Sequence, residues 1–182
     1  MTLLKFNAMA YLNDDIVFLR ALEPEDLEVL YKWENDVSLW ENGSTLNPYS
    51  RFMLKEYITR SLDENVLEAH QLRLMICLSD GGKAVGTADL FEIDSFNGRA
   101  AIGLLVTKEY RNLGIAKKVL DLIVEYAANV LLLNQLYAQV ACNNDACIAL
   151  FEESDFTKYG VLKEWLRCKD GYLDVAMFQK IL

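Results

Sequence analysis

The chain has 182 residues, 53% of them hydrophobic and only two of them proline, a composition that excludes a disordered or low-complexity protein and makes one domain, residues 1–182, the expectation. Against 27 Asp and Glu it carries 18 Lys and Arg, and the formal charge of −9 argues against nucleic-acid binding, which needs surplus cations to displace counterions. No apolar run approaches the roughly 18 residues of a membrane span, and Lys5, Asn7 and Asn13 interrupt the N-terminal stretch, so a cytoplasmic protein without membrane contact is expected.

Residues 16–21 read as a strand. Glu23-Pro24-Glu25-Asp26 then announces a helix, with proline at its first position and acids in its first turn, and Leu27, Leu30 and Trp33 recur at helical spacing. Residues 35–48 read as a loop broken by Asn42-Gly43-Ser44 and Asn47-Pro48, and a second helix follows over about 50–62. Three strands, 72–78, 83–93 and 99–107, joined at Asp80-Gly81-Gly82 and at residues 95–98, predict an antiparallel meander. Ile115, Val119, Leu122, Tyr126 and Val130 line one face of the clearest helix, which Ala116, Leu120, Ile123 and Ala127 widen. A strand at 135–142, a short helix from Asp145 to about Ser154 and a hairpin turning at Lys169-Asp170-Gly171 complete the chain.

Cys77, Cys142, Cys147 and Cys168 have no CxxC spacing and His70 is the sole histidine, so no metal site is expected. His70 opens an apolar run and reads as a strand-end residue. Charge is uneven. Residues 1–70 hold 6 basic and 13 acidic side chains, whereas Arg99, Lys108, Arg111, Lys117 and Lys118 face only Glu109 within residues 99–118. That local surplus suggests a held anion.

The junction from Thr107 to Ala116 runs from a strand through a loop into the N-terminus of the buried helix. There the first backbone N–H groups lack intrahelical partners and the macrodipole is positive, which suits a phosphate or pyrophosphate. Gly114 permits close approach, Ala116 keeps the next turn narrow, and Arg111, Lys117 and Lys118 add charge. Neither a Walker loop nor a GxGxxG fingerprint is present.

The spacing Arg111-x-x-Gly114-x-Ala116 resembles the acetyl-CoA signature of the GNAT N-acetyltransferase superfamily. Residues 19–27, Glu92-Ile93-Asp94 and 106–116 are most similar to the branch of spermidine acetyltransferases and ribosomal-protein N-terminal acetyltransferases. The resemblance implies an α+β, three-layer GNAT acyl-CoA N-acyltransferase fold, with a mixed, mostly antiparallel sheet flanked by helices. It also implies acetyl-CoA as co-substrate. Its pyrophosphate is expected on the amides of Arg111, Asn112, Leu113, Gly114, Ile115 and Ala116, near Lys117, and its pantetheine on backbone groups of Leu104, Leu105 and Val106. Such an extended ligand adds to a strand edge whatever the side chains. Asn144-x-x-Cys147-x-x-x-Phe151-x-x-x-Asp155-Phe156 aligns with the family pattern Asn-x-x-Ala-x-x-x-Tyr-x-x-x-Gly-Phe, which assigns Asn144 to the cofactor.

The chain departs from that pattern at the proton-transfer positions. Phe151 stands at the place of the family's usual tyrosine acid and is not itself an acid, Asp155 replaces a glycine, and Ala101 stands where the polyamine enzymes carry a carboxylate. Substitutes are Asp89 and Glu92 on the third strand, with Tyr159 beyond the short helix, and strict alternation puts Asp89 and Glu92 on opposite faces unless a bulge intervenes. Glu34, Asp36 and Glu41 lie in the region that walls the acceptor site in this fold, which fits a cationic amine. Leu46-Asn47 precede Pro48-Tyr49 where spermidine enzymes tend to have paired glutamates. The expected function is transfer of acetyl from acetyl-CoA to a primary amine, a polyamine or another cationic small molecule. The alternatives are a catalytically weakened acyl-CoA-binding protein and a protein N-terminal acetyltransferase. A homo-oligomer stays open.

Overall fold

The computed structural model describes residues 8–40 and 47–182. A 3₁₀ turn at Ala8–Leu12 precedes β1 (Val17–Ala21), and a second at Pro24–Asp26 leads into α1 (Leu27–Glu34), α2 (Val37–Trp40), α3 (Arg51–Asp63) and α4 (Val66–Ala69). The meander β2 (Leu72–Leu78), β3 (Ala84–Asp94) and β4 (Arg99–Val106) follows, then α5 (Ile115–Asn129), β5 (Gln135–Ala141), α6 (Asp145–Glu152), β6 (Thr157–Cys168) and β7 (Gly171–Ile181). The strands form one sheet in the order β1-β2-β3-β4-β5-β7-β6. Every neighbouring pair is antiparallel except β4 and β5, which run parallel.

The sheet is buried on both faces where it meets helices. Leu74 and Ile76 of β2 join a core shared with Val119, Leu120 and Ile123 of α5, while Met75 and Cys77, one step along, join Leu30 and Trp33 of α1 and Leu54 and Ile58 of α3. That double burial explains the unbroken apolar run of β2, which a half-solvated strand would alternate with polar residues. Toward β5, β7 and β6 the core of α5 and α6 covers one face alone, and Tyr137, Gln139 and Tyr159 stand on the other.

Local chemistry accounts for where elements begin. Arg20 of β1 forms a two-pronged pair with Asp26, at 2.7 and 2.8 Å, and Asp26 also accepts from the Glu23 N–H at 2.9 Å. The strand is thereby tied to the start of α1, which opens as a 3₁₀ turn with Pro24 at its first position. The loop expected over 35–48 contains the helical turn α2, started by Asp36, whose carboxylate accepts from both the N–H and the hydroxyl of Ser38. The short α4 was too brief for a periodic signal. Asn65 caps it, and His70 ends it in the left-handed region at φ 53°, its Nδ1 2.6 Å from the Ile93 carbonyl. His70 is therefore an end-of-helix residue rather than the strand-end residue expected.

Candidate active site

β4 and β5 pair only over Arg99–Ala101 and Gln135–Tyr137. β4 stays with β3 as far as Val106, and β5 stays with β7 as far as Ala141, so the two parallel strands diverge and leave the outer edge of β4 from Ile102 to Val106 without a strand neighbour. An extended chain of amide groups can satisfy such an edge. β3 itself lies close against β4: a Cβ on Gly86 would stand 2.0 Å from the Leu105 carbonyl oxygen, so that position admits no side chain.

The open end of the split leads to the N-terminus of α5. After the 3₁₀ turn Lys108–Tyr110 the chain passes Asn112 at φ 60° and reaches Gly114 at φ 76°, immediately before Ile115. Glycine meets that left-handed requirement without strain, and nothing lies within 4 Å of the place a Cβ would occupy. The first amides of a fifteen-residue helix, which have no intrahelical partners, follow directly on this open position. These features suit the pyrophosphate of acetyl-CoA, and the free edge of β4 suits its pantetheine.

The five cations between 99 and 118 do not form one spatial cluster, contrary to what their run suggests. Arg99 pairs with Asp94 at the far end of β4, Lys118 with Asp14 at 2.9 Å, and Lys117 with Asp121 one turn along at 2.5 Å. Arg111 Nε donates to the Val106 carbonyl at 2.9 Å, which keeps the guanidinium beside the split. Exposed pairs such as Lys117–Asp121 are worth little and yield readily to a bound anion.

On the other side of the split, Asn144 caps α6, its Oδ1 accepting from the Cys147 N–H at 3.2 Å. Phe151 is 3% exposed and packs edge-on against Phe156 and stacked against Phe178, with centroids 5.0 and 5.7 Å away. Asp155 sits at φ 60°, the conformation for which the related pattern uses glycine, and its Oδ2 lies 3.6 Å from Lys180 Nζ.

The expected acidic residues divide into three situations. Glu34 and Asp89 converge on one partner, Arg73, each at 2.6 Å, and the guanidinium lies 5.5 Å from the centre of the Tyr57 ring. Burial pushes the Asp89 carboxyl above its usual range, with Arg73 pulling it back. Asp36 caps α2, and Glu41 lies outside the described residues. Glu92 occupies a bulge between Phe91 and Asp94, at φ 51°, which brings its carboxylate onto the same sheet face as Asp89. Strict alternation fails for that reason.

Across β4 the Tyr137 hydroxyl donates to Glu92 Oε2 at 2.5 Å. Phe91, Ala101 and Tyr137 are successive neighbours across the sheet, so the bridge passes over the small side chain of Ala101, at the closed end of the split. Burial, then the bond to Glu92, push the Tyr137 phenol up to about 12, and it stays a donor throughout the neutral range. Tyr137 and Arg73 were missed in the sequence. The signal for Tyr137 was its place between the core residues Leu136 and Ala138, which turns it to the opposite face. Beside the bridge is a hollow of about 530 Å³, lined among others by Tyr159, Gln135, Gln179 and Arg99.

A family model described as an acetyltransferase (GNAT) domain matches residues 17–157. The chain belongs to the GNAT acetyltransferase family. Its relatives include the uncharacterized N-acetyltransferase p20 of Bacillus licheniformis, 26% identical with 93% of this chain and 95% of the relative covered. Another is the spermidine N(1)-acetyltransferase of Vibrio cholerae, 27% identical with 86% and 88% covered. The crystal structure of a Vibrio cholerae spermidine N-acetyltransferase with CoA and spermine superposes with a TM-score of 0.83 over 92% of this chain and 96% of the other, and at 24% identity it speaks to the fold. The GNAT fold, with its mostly antiparallel seven-stranded sheet, is thus as expected. As a GNAT enzyme, the protein is an acetyl-CoA-dependent N-acetyltransferase that acetylates an amine. Among the described residues no helix is long and apolar enough to cross a membrane, and no group of His, Cys, Asp and Glu could hold a metal ion.

Proposed function

We propose that the acceptor is a cationic primary amine, in the polyamine class or another small cation, and that Glu92 takes its proton. The Glu92–Tyr137 bridge at the closed end of the β4–β5 split carries this reading, because it sets a carboxylate beside the place where a ligand lying along β4 must end. Relatives named spermidine N(1)-acetyltransferase support the polyamine class. A homo-oligomeric, cytoplasmic enzyme of one domain completes the reading, and a structural relative described as dodecameric supports the oligomer.

Bound acetyl-CoA supplies an activated acyl carbon attached to a thiolate leaving group. The amides of Arg111 to Ala116, with Arg111 and Lys117, bind its phosphates, the edge of Leu104 to Val106 aligns its arm, and Asn144 orders the opposite wall. The carboxylate of Glu92 removes one proton from the ammonium. The neutral amine then forms the new C–N bond as the C–S bond breaks, the second proton on nitrogen passes through solvent to the departing thiolate, and the first passes from Glu92 to solvent. Tyr137 keeps Glu92 aimed. Asp89 and Glu34, shared with Arg73, shape the wall and do not carry the proton. Phe151 fills the core, so the leaving thiolate departs without a tyrosine acid, a departure a thiolate tolerates.

Glu92→Gln tests this reading. A loss of a hundred- to ten-thousand-fold in kcat, on the order expected for a missing general base, with KM for acetyl-CoA unchanged, supports it. Full activity in that variant refutes it.

A further inference from the structure

The hollow beside the Glu92–Tyr137 bridge has a composition that bears on which amine enters. Asp94 and Arg99 form a pair at 3.1 Å on its wall and cancel, which leaves Glu92 as the net charge of the lining. The rest is neutral and, apart from Met177, hydrogen-bonding: Gln179 Nε2 donates to Gln135 Oε1, and both amides keep further groups for a ligand, while Tyr137 and Tyr159 present phenols. Tyr159 is 56% exposed, so its ring is a free apolar surface at the rim. Glu34 and Asp89, farther along this face, already share Arg73. One ammonium is therefore balanced here. A second, carried along the same ligand toward Gln135, would meet no further net negative charge in the lining, because Arg99 already offsets Asp94.

We propose that this hollow is the acceptor subsite and that it selects a hydroxylated monoamine of amino-sugar type over a polyamine. The inference rests on the acetyl transfer at Glu92 proposed above. The ammonium of the acceptor pairs with Glu92 before losing its proton, its hydroxyls exchange hydrogen bonds with Gln135 and Gln179, and the ring carbons lie on Tyr159. A volume of about 530 Å³ falls within the range of small-molecule sites.

The test compares kcat/KM for glucosamine, spermidine and a short peptide with a free N-terminus, in the full-length enzyme and in the Gln179→Ala and Arg99→Glu variants, with thermal melts to establish that each folds. Expected are a preference for glucosamine over spermidine of about tenfold, near 1.4 kcal/mol, a tenfold fall for glucosamine in Gln179→Ala at unchanged KM for acetyl-CoA, and a shift of the ratio toward spermidine in Arg99→Glu. A preference for spermidine or for the peptide, or glucosamine turnover indifferent to both variants, overturns the assignment while leaving the transfer at Glu92 intact. Absence of CoA release with every amine overturns the transfer itself, and this assignment with it.

Discussion

Tyr137 donates its hydroxyl proton to Glu92 across the width of β4, over a residue no larger than alanine. The bond restrains a glutamate whose backbone is in the left-handed region, an uncommon conformation for a residue with a side chain. Tyr137→Phe removes the restraint and keeps the ring. The expected result is a fall in kcat of about tenfold, about 1.4 kcal/mol in the barrier, with KM for acetyl-CoA unchanged. Full kcat in Tyr137→Phe would mean that the ring's packing, and not its hydroxyl, is what matters.

Gly114 has no neighbour within 4 Å of its missing Cβ, so bulk there obstructs a ligand and not the protein. Gly114→Val places a branched side chain at φ 76°, in front of the first amides of α5. Strain of about 1–2 kcal/mol in stability is expected, together with at least a tenfold rise in Kd for acetyl-CoA. Calorimetric titration alongside a melt separates the two effects.

Arg73 is the shared cation of Glu34 and Asp89, whose side chains are 19% and 13% exposed. Arg73→Met leaves two neighbouring carboxylates, largely shielded from water, without it. A loss of about 3 kcal/mol in unfolding free energy is expected, the lower end for breaking a buried pair. Adding Asp89→Asn to that variant relieves the repulsion and recovers part of the loss. Urea unfolding of the single and double variants measures both.

Acid stability follows from Asp26, which is 4% exposed. Burial works against its charged form, but the paired bonds from Arg20 and the Glu23 N–H outweigh that and hold the carboxyl below its ordinary value of 3.8. A carboxyl whose pKa is depressed by folding contributes stability above its unfolded pKa and loses it as pH falls through the folded one. The Asp26→Asn variant is therefore less stable than the parent at pH 7, and the difference between their melting temperatures narrows below about pH 4. A gap that stays constant to pH 2 would contradict the pairing.

Much of this was legible in the residues. The periodic face of α5, the acids after Pro24 and the turn at Asp80-Gly81-Gly82 specify local geometry directly, and their elements stand within a residue or two of expectation. Gly114 could be read because a left-handed cap before a helix calls for glycine. Glu92 could be named but not oriented, because a bulge inverts the facing of a strand residue without altering its composition. Tyr137 and Arg73 act through partners 45, 39 and 16 positions away, and nothing local announces such encounters. Likewise the cations between 99 and 118 are neighbours in the chain but opposite ends of a strand in space.

The three-residue ladder between β4 and β5 also has a mechanical meaning. Four strands on one side and three on the other are riveted at one end and splayed at the other, like a pair of tongs. In the placement proposed for acetyl-CoA, a guest that hydrogen-bonds along β4 stands in for the absent rungs, so that loading the enzyme would also brace its sheet. Co-substrate and scaffold thereby become parts of one structure, and the loaded protein resists heat by the free energy that its guest contributes on binding.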